Sequence, residues 1–388
     1  MNKQVGNVRL MQQMNRLKVL NFIRNNPDVV RPVIAEKTGL SLATITNTTS
    51  YLLDINLIAE CGTEQVGRVG RKSTLLRFNA DAYGLICVIL GKETINVVHT
   101  NLDGKIIARL TTEMCDSPEK VIKTVRKNVS EIISKSGKEN ILGISIGISG
   151  LVLDGSKFVL SSSHKWKGFD IRKTLMADTG LPVFAENISH LKAVWYFCCK
   201  KSADKRNMIF VDLENGIGAT QFYKGSISRA VLGEIGHTTV DKDGELCFCG
   251  NKGCLEAMCS VERTLRLYKE YSGNTEADTK ELCKKYSSGD ASALKAIKEC
   301  AEYLGIGMAN IINMLNPSVI VINSGDMTCC RPLLDEAEKV MLSRAYPALT
   351  QELAIYEINT SEEETIKGAA YNLCDRLFDI SFDGNIVE

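Results

Sequence analysis

The residues with the most distinctive chemistry are one histidine and three cysteines: His237, then Cys247, Cys249 and Cys254 within a stretch of eight residues. Thiolate and imidazole are favoured zinc ligands, and four of them close a tetrahedron with no position left for water. The spacing therefore predicts one structural Zn2+ per chain, held by these four side chains. Gly250 and Gly253 lie where the chain must turn tightly around an ion. Reduced cysteines without metal are the alternative reading of the same pattern.

Alternating strands and helices must position this knot. Leu85–Leu90 and Ile95–His99 read as strands, Pro118–Ser134 as a helix, and Ile141–Ile148 as a buried strand ending at Ser149-Gly150. Asn207–Leu213 is a further strand, followed by Glu214-Asn215-Gly216-Ile217-Gly218. Ala291–Leu315 is a long helix, and Val319–Asn323 a strand ending at Ser324-Gly325. Strands that end in glycine turns and alternate with helices predict an α/β architecture with ligands at the strand ends.

The N-terminal segment has a different character. Leu10, Met14, Leu17, Leu20 and Ile23 recur at steps of three and four, the stripe of an amphipathic helix that Asn25-Asn26-Pro27 stops. A short helix over Pro32–Thr38 follows, with Gly39 suited to its αL C-cap. Ser41 then N-caps a third helix with Leu42, Ile45, Thr49 and Leu52 turned inward. Helix, tight turn, helix is the helix-turn-helix pattern. Its outward face carries Ala43, Thr44, Thr46, Asn47, Ser50 and Tyr51, small polar groups able to approach base edges in a major groove. Leu57–Glu60 and Leu75–Phe78 read as two strands flanking the basic run Gly67-Arg68-Val69-Gly70-Arg71-Lys72, a wing suited to phosphates or a narrow minor groove. Double-stranded DNA is the expected partner, touched by Ser41, Ala43, Thr44, Thr46, Asn47, Arg68, Arg71 and Lys72.

Charge agrees. The chain has 388 residues and a net charge of +1, unevenly spread. Residues 1–77 carry 11 Lys and Arg against 5 Asp and Glu, while the remainder carries 36 against 41. A basic head on an acidic body suits a polyanionic partner. Nothing resembles an 18-residue apolar span or a signal peptide, so no membrane role and a cytoplasmic location are expected. Fourteen cysteines in a chain of this length point to metal and to small buried hydrophobes, not a disulfide scaffold. The pairs Cys198-Cys199 and Cys329-Cys330 are expected among the buried ones.

Glu234-Ile235-Gly236-His237 together with Cys247-x-Cys249-Gly250-x-x-Gly253-Cys254-x-Glu256 resembles the signature of the ROK family of repressors, open reading frames and kinases. The resemblance covers nearly the whole chain. It implies a winged helix-turn-helix over 1–80, of the kind in xylose-type repressors. Over 81–388 it implies an actin-like, ribonuclease H-like two-lobed sugar-kinase fold with a zinc-binding loop. The smaller lobe would run from about 81 to 185 plus the C-terminal helix, and the larger from about 186 to 360. The family's sugar contacts fall on Gly150, Asn187, Glu234, His237 and Glu256. Carboxylates and an amide suit vicinal hydroxyls, and His237 would serve metal and sugar through its two ring nitrogens.

Departures from the family's kinases decide the expected activity. Those kinases carry an aspartate directly after the matching asparagine, as the base that activates the sugar hydroxyl. Here the position is Ile188, which cannot accept a proton. The first phosphate loop has Ile89 at its acid position and Glu93 where phosphate would sit, and the second gains Glu214. Negative charge there repels a nucleotide. His190 reads as a structural histidine, with a replacement donor to the sugar as the alternative. The expected function is a sugar-responsive transcriptional regulator, a repressor of carbohydrate-utilisation genes, without catalytic residues. It would bind operator DNA as a homodimer, with a tetramer as the larger alternative. A sugar kinase with an accessory head, and a regulator governed by a protein partner, are the competing readings.

Overall fold

The computed structural model describes residues 3–64, 73–153, 157–161, 166–167, 170–199, 207–214, 216–223, 226–228, 234–324 and 330–379. The N-terminal segment runs α1 (Lys3–Asn25), β1 (Val29–Val30), α2 (Arg31–Thr38), α3 (Leu42–Asp54), β2 (Ile58–Glu64) and β3 (Ser73–Phe78). The local punctuation lies where expected. Gly39 ends α2 in the left-handed region at φ 73°, and Ser41 Oγ accepts the Thr44 amide at the start of α3. β3 pairs antiparallel with β2 and with β1, a two-residue strand that sequence reading passed over.

Ile45 and Leu52 of α3, Ile34 of α2 and Leu17, Leu20 and Ile23 of α1 form one buried apolar seam. Burying each of these side chains contributes about 1.5–3 kcal/mol. Two expectations fail here. Leu10 and Met14 are 48% and 41% exposed, because α1 extends beyond the elements that cover its other half. Leu42, at 54%, occupies the first residue of α3, ahead of the seam.

Two five-stranded sheets follow, and they repeat one plan. The first is built from β4 (Gly84–Leu90), β5 (Thr94–Asn101), β6 (Ile106–Glu113), α4 (Pro118–Ser136) and β7 (Ile141–Ile148). After these come the small ribbon β8 (Leu151–Leu153), β9 (Lys157–Ser161) and β10 (Trp166–Lys167), then α5 (Ile171–Thr179), β11 (Val183–Asn187) and α6 (Ile188–Cys199). The second comprises β12 (Asn207–Asp212), β13 (Gly218–Tyr223), β14 (Ser226–Ser228), α7 (Leu255–Cys259), α8 (Val261–Ser272) and α9 (Thr279–Ser287). It continues with α10 (Ala291–Leu315), β15 (Val319–Asn323), α11 (Cys330–Arg344), α12 (Pro347–Thr350) and β16 (Ala354–Ile358), and α13 (Glu362–Leu377) closes the described chain.

The strand orders are β11-β7-β4-β5-β6 and β14-β13-β12-β15-β16. In each sheet an antiparallel meander of three strands is extended by two strands parallel to the first. β4 is buried at every position, as a central strand covered on both faces must be. Val121, Val125 and Val129 of α4 lie in the apolar cluster on one side of this sheet. Leu373, Cys374 and Leu377 of α13 lie in the cluster on the other, and that cluster is continuous with the seam of α1, α2 and α3. Cys198 and Cys199 are exposed, contrary to expectation: they lie in the last turn of α6, beyond its buried run Leu191–Tyr196. Cys329 lies outside the described residues. Among the described residues no helix is long and apolar enough to cross a membrane.

Candidate metal centre and ligand cleft

A single helical turn, Ile235–His237, delivers His237, and a tight loop delivers the cysteines. The loop is fastened by backbone bonds from Cys247 N to Asn251 O (2.7 Å) and from Gly250 N to Cys247 O (2.9 Å). Gly253 is required: it sits at φ 63°, and a Cβ there would lie 1.5 Å from the Asp241 carbonyl oxygen. His237 Nδ1 lies 3.5 Å from Cys247 Sγ, and Cys249 Sγ lies 3.6 Å from Cys254 Sγ. All four donor atoms fall within 4.8 Å of one another. Zinc–sulfur and zinc–nitrogen bonds of about 2.3 and 2.0–2.1 Å place tetrahedral donors roughly 3.5–3.8 Å apart, so the set fits one such ion. Burial, then the neighbouring Cys249 and Cys247, push the Cys254 thiol up to about 12.

The other ring nitrogen of His237 is turned to Glu234: Nε2 lies 3.7 Å from Glu234 Oε2. Burial pushes the Glu234 carboxyl up; the Glu256 carboxylate adds to this and His237 opposes it. Glu256, in the first turn of α7, accepts the Ile217 amide through Oε2 at 2.8 Å, so part of its bonding capacity holds the glycine loop. Asn187 is likewise engaged. Its Nδ2 donates to Gly150 O at 2.9 Å, and its Oδ1 accepts the Ser189 amide at 2.7 Å, capping α6. The candidate contacts thus form two groups, Glu234 with His237 and Glu256, and Gly150 with Asn187. The Gly216–Gly218 loop adjoins both, since a Cβ on Gly218 would stand 3.0 Å from the Ser189 side chain. His190 Nδ1 lies 3.4 Å from Thr220 Oγ1, a position in the protein frame.

Where a kinase would need acids, the chain packs aliphatics. Ile89 and Ile188 belong to one buried cluster, and a Cβ placed on Gly147 would meet Leu191, Ile89 and Ile188 within 3.4 Å. At the end of β12 one ammonium serves two carboxylates. The Lys192 ammonium of α6 pairs with Glu214 and lies 3.3 Å from Asp212 Oδ2. Asp212 also accepts Asn323 Nδ2 at 2.7 Å, and Asn323 Oδ1 accepts the Thr360 amide. Burial alone would lower the Lys192 pKa; Asp212 and Glu214 outweigh it and hold it above the ordinary lysine value. Sequence reading missed Lys192, although it is the one formally charged side chain in the largely apolar helix Ile188–Cys199, a signal of a buried ion pair.

On α3, Ala43, Thr46 and Asn47 are exposed and Thr44 is half-buried beside the Ser41 cap, so these residues share an accessible surface. Arg68, Arg71 and Lys72 lie outside the described residues.

Comparison with known proteins places this geometry. The xylose repressor of Caldicellulosiruptor bescii is 27% identical over 387 residues, covering 94% of this chain and 96% of the relative. A crystal structure of a ROK family transcriptional regulator, a homolog of the E. coli MLC protein, superposes with a TM-score of 0.78 at 23% identity, covering 93% of this chain and 96% of that one. A ROK family glucokinase from Streptomyces griseus, in complex with glucose and AMPPNP, superposes at 0.60 and 20% identity over 74% of this chain and 98% of the enzyme. The fold is therefore shared by regulators and sugar kinases. The ROK family model matches residues 85–375, and the chain belongs to the ROK family.

Proposed function

We propose that this chain is a sugar-responsive transcriptional repressor whose kinase-like body has lost phosphoryl transfer. The observation that carries the reading is the aliphatic contact of Ile89 and Ile188 around Gly147, in a ROK body joined to a basic helical segment. A family kinase needs an acid beside its asparagine and a phosphate-binding first loop; this body has neither side chain to offer. Similarity to the xylose repressor over most of both chains supports the same reading.

In this account residues 1–80 are a winged helix-turn-helix that binds operator DNA, and residues 81–388 form the sensor, its smaller lobe completed by α13. Thr44, Thr46 and Asn47 read bases, Ser41 and Ala43 border them, and Arg68, Arg71 and Lys72 hold phosphate. Gly150, Asn187, Glu234, His237 and Glu256 contact the sugar. His237, Cys247, Cys249 and Cys254 would hold one structural Zn2+, which would fix the His237 ring and leave Nε2 for the sugar. A homodimer presents two recognition helices to a pseudo-palindromic site, since one helix reads only a few base pairs. The protein acts in the cytoplasm. The test is selection of bound duplexes from a random pool by the full chain, with mass measured by light scattering. A two-fold symmetric consensus bound by a dimer is expected. No enrichment by metal-loaded protein would overturn the reading.

A further inference from the structure

The part of the α1 stripe that no described residue covers adjoins a polar and charged side. α1 carries Lys3, Arg9, Arg16, Lys18 and Arg24 and no acidic residue over its 23 residues. Two of these cations work inside the fold: Lys18 donates to Thr38 O at 2.6 Å, and Arg24 pairs with Asp375. Arg16 does something different. Its guanidinium lies 3.5 Å above the centre of the Tyr51 ring, on α3. Around this stack runs a groove of about 320 Å³, with Gln12, Asn15 and Arg16 on the α1 side and Thr44, Asn47 and Tyr51 on the α3 side.

We propose that this groove is part of the DNA interface, with Arg16 holding a backbone phosphate and Gln12 contacting the duplex beside the bases read by α3. The inference rests on the DNA-binding reading above and extends it to a second helix. Three observations point to a nucleic-acid occupant. The groove is continuous with Thr44 and Asn47, so a duplex against α3 must pass its mouth. Its α1 wall offers two amides and a guanidinium and no carboxylate, a match for phosphate and sugar oxygens. The Tyr51 stack holds the guanidinium at the groove, and a planar guanidinium carries five N–H donors in a fork that suits phosphate. Val8 and Met11, 58% and 57% exposed at the same groove, suit the apolar faces of deoxyribose and thymine methyl groups.

The full-length protein and its selected duplex provide the test, by fluorescence anisotropy between 50 and 300 mM salt. Arg16→Ala is expected to weaken binding roughly 3- to 10-fold and to reduce the slope of log affinity against log salt by about 0.9, one phosphate's worth. Arg16→Lys should recover most of the slope and little of the affinity, because the charge returns without the stack. Gln12→Glu, at an exposed position where folding is indifferent, should weaken binding by a similar factor. Unchanged affinity and slope in Arg16→Ala and Gln12→Glu, with Asn47→Ala impaired, would overturn the inference and leave the DNA reading intact. Loss of dimer mass in these variants would also overturn it, and would assign the groove to a second copy of the chain. Wild-type protein that binds no duplex would defeat the underlying reading as well, and that outcome is distinguishable before any variant is made.

Discussion

Arg24 donates to Asp375 at 2.6 Å, joining the first helix of the chain to the last across 351 residues of sequence. Asn21 reinforces the contact through Phe378 O at 3.1 Å, and Phe78 meets the Phe378 ring edge-on. One residue beyond Asp375, Arg376 lies 3.3 Å from Glu186, the neighbour of Asn187. A short chain of contacts therefore joins Glu186, beside Asn187, to the N-terminal helices; in the proposed reading this is how sugar at Asn187 would reach the segment assigned to DNA. Arg24→Ala and Asp375→Ala should show a coupling free energy of about 1 kcal/mol in a double-mutant cycle of urea unfolding. Asp375→Ala should also shrink the effect of sugar on operator affinity while sugar binding itself persists. Equal sugar responses in wild type and variant would remove this contact from the route.

Metal removal should unfasten the 247–254 loop. Elemental analysis should find one zinc per chain, and chelation or Cys247→Ala should lower the melting temperature and abolish sugar-induced stabilisation. The pH dependence has a definite sign. The metal-free Cys254 thiol is pushed up to about 12, so it holds its proton at neutral pH and must release it to bind metal. Apparent zinc affinity should therefore rise with pH between 6 and 8, by about tenfold per unit for each proton released. A flat competition curve across that range would contradict thiolate ligation by this site.

Phosphoryl transfer should be absent. A coupled ADP-release assay with magnesium, across pentoses, hexoses and amino sugars, should stay at background. Ile188→Asp should remain silent and should also unfold more easily, because position 188 is only 8% exposed and lies beside Leu191 and Ile89. Placing a carboxyl there costs several kcal/mol, on the order of 2–5, unless it finds a partner. Sugar-dependent turnover by the unmodified protein would revive the kinase reading.

The buried triad offers a separate check on the cleft. Lys192→Met leaves Asp212 and Glu214 without their cation, and should destabilise the protein by about 3–5 kcal/mol. Adding Asp212→Asn and Glu214→Gln should recover a large part of the loss, since the cost comes from uncompensated charge and not from lost packing. Denaturant midpoints read both.

Local signals carried the sequence analysis far. Gly39 and Ser41 punctuate their helices, Ala291–Leu315 keeps its apolar period throughout, and the His237–Cys254 ligands converge. What failed was coverage. Periodicity identified the apolar stripe Leu10, Met14, Leu17, Leu20 and Ile23 but cannot say where another element lies upon it: Leu17, Leu20 and Ile23 are buried, and Leu10 and Met14 are not. Partnerships across long separations were also illegible. Nothing near Arg24 announces Asp375, and nothing near Glu214 announces Lys192 except the oddity of a lysine in an apolar helix.

The central claim is that sugar in the cleft changes DNA binding by a protein that no longer phosphorylates it. The most direct measurement is the anisotropy of a labelled, selected operator titrated with zinc-loaded full-length protein, with and without each sugar of a panel that includes xylose. The account predicts that at least one neutral sugar shifts the operator dissociation constant tenfold or more, and that Glu234→Gln, which leaves the metal ligands in place, abolishes the shift. Operator affinity unchanged by every sugar, together with a melting temperature that no sugar raises, would contradict it.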